Sequence, residues 1–545
     1  MDPVSHATPE AEIAALRAVL AERDAAVVAR DTALAERDAL LAERDARLLN
    51  ASLEIEKLRV QLAVLRRERY GRSSERLDAE IGQLEMLIGD LEEDTAAGNA
   101  AAEEKQKARG EDGERRQRRP ALRRPLPEHL PRETVVHEPV PACRCGCTDL
   151  SRLTRLGEDV TEILEKVPAR LKVIRHVRPR YACRNCEAVL QAPAPDLPVE
   201  RGRPGPGLLA HVLVSKYLDG LPLYRLSGIL AREGVEIERQ TLADWVGRGA
   251  WWLRAVAEAI GRHALAQGVV WTDDTPIRVL APGRGRTREG RFWVYAFDPR
   301  PWGGTGPPAA FYRYSPDRKG ERPREHLAGF SGWLQADAYG GYDALTRPKP
   351  GGPQRISHVA CWAHARRKLF EVWEGTKSPI AERLLAHIGA LYDIERDING
   401  KSAEDRRAAR QALSHPMLED LRAEMETERR RLSGKSAPGK ALQYALGRWD
   451  ALTRYLDDGR LAIDNNLAER LLRGIAVTRK NYLFLSSDTG GERAAIIYTV
   501  AETAKLNGLD PEAYIAAILD RLASGHSIAH LDDLLPWNIK IGRVS

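Results

Sequence analysis

Asp273 closes the segment VVWTD, Asp337 closes WLQAD, and Glu469 falls inside NNLAERLLRGIAV. The first two segments read as short strands and the third as a helix. Aspartates at strand ends can converge at one sheet edge, where a glutamate from a later helix can join them. Two aspartates and a glutamate can hold two Mg²⁺ or Mn²⁺ ions about 4 Å apart, the pattern that drives in-line phosphodiester displacement. Asp274 follows Asp273 directly, and alternation along a strand sends the two side chains to opposite faces. One of the pair is therefore a ligand, and spacing leaves open which. Arg473 lies one turn after Glu469, and Lys480 returns to the same face if the helix runs that far, so both can meet substrate phosphates. Asp464, ahead of that helix, reads as a cap.

The cysteines cluster as CRCGC at 143–147 and CRNC at 183–186, with Cys361 apart. Paired knuckles hold a tetrahedral structural Zn²⁺ by thiolates, with no position open to water. Cys143, Cys145, Cys183 and Cys186 are the expected ligands, and Cys147 is the spare. Six cysteines are too few for a disulfide framework in 545 residues, so the pattern suits a reducing compartment. Lys172, Arg175, His176, Arg178 and Arg180 make a basic strand between the knuckles, a candidate phosphate-contacting face. Cys361 and His364, in CWAH, are two ligands without a site, which favours packing or DNA positioning. Arg366, Arg367 and Lys368 beside them offer cations to a nucleic-acid backbone.

The elements that must position these residues change texture along the chain. From Leu20 an apolar residue recurs every seventh position through Val27, Leu34, Leu41, Leu48, Ile55 and Leu62, a coiled-coil seam. Aspartates weaken its second position until Leu58 and Leu65. Residues 94–132 are charged, aperiodic and end in prolines, as a flexible basic linker does. After the cysteine module, residues 205–266 read as three helices with a tight turn at Gly234. Arg239, Gln240 and Thr241 open the third helix, where a helix-turn-helix contacts base edges, while Leu242, Trp245 and Val246 face its core. Short β-rich segments then precede a long helical stretch. The net charge of +6 permits a polyanionic partner. The start carries no apolar run of signal-peptide length and no segment reads as membrane-spanning, so a cytoplasmic protein is expected.

WTDDTPIRVL, LQADAYGGYDAL, CWAHARRKLFE, AIDNNLAERLLRGIAVTRKNYLFLSS and TAKLNGLDPEAY, in this order, resemble the insertion sequence 66 family of transposases. RERYGRSSERL, the stretch GEDVTEILEKVPARLKVIRHVRPRYACRNC and PGPGLLAHVLVSKYLDGLPLYR extend the resemblance over nearly the whole chain. It implies an RNase H-like core with an Asp-Asp-Glu triad, carried onto Asp273, Asp337 and Glu469, and recognition of the terminal inverted repeats of a mobile element. Trp271 stands where that family often has histidine, and Asp274 where glutamate is usual.

The expected architecture is multidomain α+β. It comprises a coiled coil at 10–93 that oligomerises the chain, the linker at 94–132 and a zinc-binding module at 133–200. Helix-turn-helix-like DNA-binding helices follow at 201–266, then an α/β catalytic core at 267–500 with a helical insertion near 365–460, and a helical tail at 501–545. Expected partners are double-stranded DNA, at least one further copy of the chain, and small accessory proteins of the same element, in a bacterial cytoplasm at the nucleoid. The competing reading is a catalytically inactive DNA-binding regulator with a degenerate nuclease core.

Overall fold

The computed structural model describes residues 126–128, 130–138, 153–167, 170–184, 188–199, 202, 204–281, 286–347, 355–479, 481, 485 and 487–541, with residues 23, 30, 32, 50–52, 54–59, 61, 88, 89 and 91–98 of the N-terminal helices. Cys143, Cys145, Cys147, Cys186 and Lys480 lie outside the described residues, as does most of the heptad seam. The chain divides into two units, Met1–Leu84 and Glu85–Ser545. In the first, Ile55 and Leu58 are buried at the expected seam positions. The intervening charges pair along the helix, Glu54 with Lys57 and Glu56 with Arg59.

The second unit contains two sheets. In the first, β1 (Arg132–Val136) runs parallel to β3 (Arg170–Cys183), while β2 (Leu153–Val167) and β4 (Val189–Gln191) pair antiparallel with β3. The basic face expected on β3 is largely spent inside this sheet. Lys172 pairs with Glu133, Arg178 and Arg180 flank Asp159, and His176 stacks on His137; Arg175 remains exposed.

Three helices follow, α1 (Pro206–Tyr217), α2 (Leu223–Arg232) and α3 (Arg239–Leu265). Gly234 makes the predicted turn with φ of 83°, a conformation that glycine adopts without a Cβ penalty. Leu242, Trp245 and Val246 are buried as expected. Arg239 is not an open base-reading side chain, because Glu92 lies 4.0 Å from it; Gln240 and Thr241 are exposed. That glutamate belongs to a helical segment that continues through residue 98, past the expected linker boundary at 94. It continues because its acidic residues are engaged by the body. Glu93 is buried against Lys216 and Arg493, and Asp94 also meets Arg493.

The second sheet has the order β7-β6-β5-β8-β9. Its strands are β5 (Val269–Ala281), β6 (Arg286–Phe297), β7 (Ala309–Ser315), β8 (Gly332–Ala336) and β9 (Ile356–Ala360). β5, β6 and β7 form an antiparallel meander, and β8 and β9 add parallel on the other side of β5. Central β5 begins VVWT with all four residues buried, as a strand covered on both faces requires.

Between β9 and the helix that carries Glu469 lie α4 (Trp362–Thr376), α5 (Pro379–Asp397), α6 (His415–Arg431) and α7 (Ala437–Leu446). Ser378 and Ser436 cap α5 and α7, each followed by a proline in the first turn. Arg406 and Arg410, both buried, clamp Glu395 and donate to carbonyl oxygens of Tyr455, Asp458, Gly459 and Leu461. These guanidinium groups tie the inserted helices to the segment that leads into α8 (Asn466–Thr478).

The chain then forms α9 (Asp488–Leu506) and α10 (Pro511–Ala523). The expected boundary at 500/501 falls inside α9. The helix is continuous there because it seals the outer edge of β7: Thr499 accepts from the Tyr312 amide, and Thr503 both accepts from and donates to the Ala310 backbone. Covering an edge strand in this way removes a template for intermolecular pairing. Among the described residues, no helix is long and apolar enough to cross a membrane.

Candidate active site

β5 pairs with β8 in the register Val269↔Trp333, Val270↔Leu334 and Trp271↔Gln335. Continued by two residues, that register sets Asp273 level with Asp337, which directly follows β8. Asp273 is largely buried, and its carboxyl is pushed up to about 7. Burial is the largest cause, and the negative charges of Asp337, Asp274 and Glu469 add to it; the Asp274 amide, which donates to Asp273 Oδ1 at 2.8 Å, works in the opposite direction. The charges of Asp337 and Glu469 thus both reach Asp273.

Asp274 has different surroundings. Its side chain is 1% exposed and is held by Arg291 at 3.0 Å and Arg318 at 2.8 Å. Two guanidinium groups neutralise it within the fold, as a buried carboxylate requires. Asp337 and Glu469 are more open, at 22% and 28%. Arg318 also comes within 3.8 Å of Asp337 Oδ2 and lies over the Tyr339 ring at 4.2 Å. The Tyr339 amide donates to Asp337 Oδ1 at 3.0 Å. Trp271, two residues before Asp273 on the same face of β5, is buried and stacked on Trp302.

The segment 462–465 fixes α8 to both strands. The buried Gln335 side chain donates to the carbonyl oxygens of Ala462 and Asp464 and accepts from the Ala462 amide. Asn465, fully buried, donates through Nδ2 to the Thr272 carbonyl oxygen at 2.9 Å. Its backbone carbonyl accepts from the Glu469 amide, and its own amide donates to Cys361 Sγ. Asp464 Oδ1 accepts from the Asn466 amide at 3.1 Å, but from one residue ahead of the expected role, because the cap position itself falls to Asn465, which makes no side-chain capping bond. Sequence reading missed Arg291, Arg318, Gln335 and Asn465. Gln335 and Asn465 stand inside the quoted motifs and Arg291 and Arg318 do not, and the partners of these residues lie up to 193 residues away.

Of the expected cationic residues, Arg367 lies 3.9 Å from Glu469 Oε2 and is exposed. Arg366 is exposed over the Phe370 ring, and Arg473 is exposed one turn beyond Glu469. α8 stops at Thr478. Cys361 and His364, at the start of α4, are joined by Glu469 as a third group, with their ligand atoms within 4.8 Å of one another. Burial pushes the Cys361 thiol up to about 12. Of the expected zinc ligands, Cys183 alone is described; it is buried at the end of β3, where its amide bonds the Ala188 carbonyl.

The chain's sequence matches the model described as Transposase IS66 family over residues 201–493. Residues 141–187, spanning both cysteine knuckles, match the zinc-finger binding domain of transposase IS66. Residues 57–135 match Transposase C of IS166 homeodomain, and 499–537 the IS66 C-terminal element. Three relatives from Sinorhizobium fredii (strain NBRC 101917 / NGR234) align over much of the chain. Uncharacterized protein y4hP is 42% identical over 495 residues, 87% of both chains. Uncharacterized protein y4jD is 42% identical over 425 residues, 77% of this chain and 82% of its own, and uncharacterized protein y4qI 38% identical over 477 residues, 87% of both. With matching segments from residue 57 to residue 537 in one order, the chain belongs to the IS66 family of transposases.

Proposed function

We propose that this chain cuts and joins DNA strands at the ends of a mobile element, using Asp273, Asp337 and Glu469 as the ligands of two catalytic Mg²⁺ or Mn²⁺ ions. The observation that carries this reading is geometric: the β5–β8 register sets Asp273 level with Asp337, and Asn465 ties the Glu469 helix to the Thr272 carbonyl beside Asp273. Burial and three further carboxylates, Asp337, Asp274 and Glu469, push the Asp273 carboxyl up. Only Asp274 among them has two guanidinium partners. The surplus negative charge on the other three fits a cation. Glu469 Oε1 is likewise buried and has no hydrogen-bond partner among the described residues. When bound, the ions supply activation of the attacking oxygen and stabilisation of the leaving oxygen.

The strand order, an antiparallel meander extended by two parallel strands, supports an RNase H-like core. In that core, Asp273 lies within central β5, level with Asp337 at the end of neighbouring β8, and Asn465 sets the approach of Glu469. Arg366, Arg367 and Arg473 face outward near Glu469 and serve to hold the DNA backbone. Gln240 and Thr241 offer polar contacts to the duplex, with Lys480 a further phosphate contact. Thiolates of Cys143, Cys145, Cys183 and Cys186 hold a structural Zn²⁺, and the N-terminal heptads pair protomers so that two element ends meet. The protein works in the bacterial cytoplasm at the nucleoid, alongside small accessory proteins of its element.

The test is Mn²⁺-dependent cleavage and joining of oligonucleotides bearing the element's own ends, for wild type and for Asp273→Ala, Asp337→Ala and Glu469→Ala. Loss of both reactions with DNA binding retained is expected from each variant. Cleavage that survives all three substitutions overturns the assignment, and a wild type that binds but never cleaves favours a regulator.

A further inference from the structure

We propose that Cys361, His364 and Glu469 form a second cation site, selective for a soft divalent ion of the zinc class, which competes with the aspartate pair for the glutamate. The three ligand atoms, one sulfur, one nitrogen and one oxygen, lie within 4.8 Å of one another. Tetrahedral zinc with such ligands spans ligand-to-ligand separations of about 3.4–3.8 Å, so a contraction of about 1 Å closes the site. His364 Nδ1 and Glu469 Oε1 already stand 3.7 Å apart. Both atoms are buried, and neither has a hydrogen-bond partner among the described residues. Two unsatisfied polar atoms facing each other at this separation are costly, and an ion between them satisfies both.

The donor set decides which ion. A thiolate and an imidazole suit zinc-class metals, whereas Mg²⁺ prefers oxygen ligands in an octahedron. Binding releases the Cys361 proton to solvent. The Asn465 amide, 3.2 Å from Cys361 Sγ, is placed to support the resulting thiolate. Three protein ligands leave one position open. The functional consequence rests on the reading of Glu469 as a catalytic ligand. A soft ion held here withdraws the glutamate from Asp273 and Asp337, so excess zinc converts the enzyme to an inactive form. Cys361 and Glu469 are 108 residues apart and are brought together by the return of the chain through Asn465.

The experiment is a Co²⁺ titration of the full-length protein, with zinc retained in its cysteine module, read by the thiolate-to-cobalt charge-transfer band. Wild type should gain one equivalent of thiolate-bound cobalt that Cys361→Ser lacks, and His364→Ala should weaken it by at least about tenfold. Asp337→Asn should keep the band, since Asp337 is no ligand of this site. Identical titrations of wild type and Cys361→Ser overturn the proposal. Zinc added beyond the module's requirement should depress Mn²⁺-dependent cleavage by wild type; unchanged cleavage with the cobalt band present overturns the competition. Cleavage independent of Asp337 instead overturns the catalytic reading and leaves the cobalt result standing.

Discussion

The side-chain amide of Asn465 donates to the carbonyl oxygen of Thr272 at 2.9 Å, joining the strand that carries Asp273 to the helix that carries Glu469. The same residue accepts from the Glu469 amide at 3.2 Å. Asn465→Ala strands the Thr272 carbonyl in a buried setting, at a cost of about 1–3 kcal/mol. A small displacement of Glu469 should lower strand cleavage by about a hundredfold. Denaturant unfolding and single-turnover cleavage measure the two effects, and wild-type cleavage by the variant removes Asn465 from the account.

Asp273 and Asp274 should behave as opposites. Asp274→Asn removes the shared carboxylate partner of Arg291 and Arg318 and should cost about 1–3 kcal/mol. The folded variant, at low temperature, should retain Mn²⁺ affinity within about tenfold, because the ligand oxygens remain. Asp273→Asn should show the reverse, a stable fold with weakened Mn²⁺ binding. An exchange of the two phenotypes would identify Asp274 as the ligand.

The inserted helices should fail through one carboxylate. Glu395 pairs with both Arg406 and Arg410, at 3.3 and 2.7 Å. Glu395→Ala leaves two buried guanidinium groups with only carbonyl partners, a loss of about 3–5 kcal/mol. Because those guanidinium groups also hold the 455–461 carbonyls, hydrogen exchange should rise in that segment before it rises in β5. Uniform exchange across both would show that the insertion does not anchor the segment.

His326 supplies a pH dependence remote from the carboxylates. Burial and the neighbouring Arg313 and Arg322 push its ring down to about 3, and its Nδ1 shares a hydrogen bond with the Tyr295 hydroxyl at 2.8 Å. A depressed folded value means that the ring's contribution is complete above the unfolded value of about 6.5 and is lost as pH falls toward 3. Lowering pH from 7.5 to 5 should remove about 2 kcal/mol from wild type. His326→Gln should lack that increment in the difference between unfolding curves, and equal losses in both proteins contradict the assignment.

Much of this architecture was legible in residue order because each signal was local. β8 announced itself as a short apolar run ending in acid, Gly234 as a turn, and Leu242, Trp245 and Val246 as one helix face; β5, expected to close at Asp273, instead runs on to Ala281 because residues 274–281 pair with β6. What was illegible depends on partners distant in sequence. Nothing near Asp274 reveals that Arg318 closes over it, and Cys361 with His364 counts as two ligands until α8 returns Glu469. Residues 92–94 straddle the expected border between coil and linker, and nothing in them announces that Lys216 and Arg493 receive Glu93 and Asp94. The continuity of α9 across residue 500 was illegible for the same reason, since Thr499 and Thr503 gain their role only from β7.

The most direct test of the central claim is calorimetric titration of the full chain with Mn²⁺, comparing wild type with Asp337→Asn. The expected result is Mn²⁺ binding in wild type that falls by at least about tenfold in the variant, with the fold unchanged by circular dichroism. Equal Mn²⁺ binding by the two proteins would contradict a catalytic metal site built on Asp273, Asp337 and Glu469.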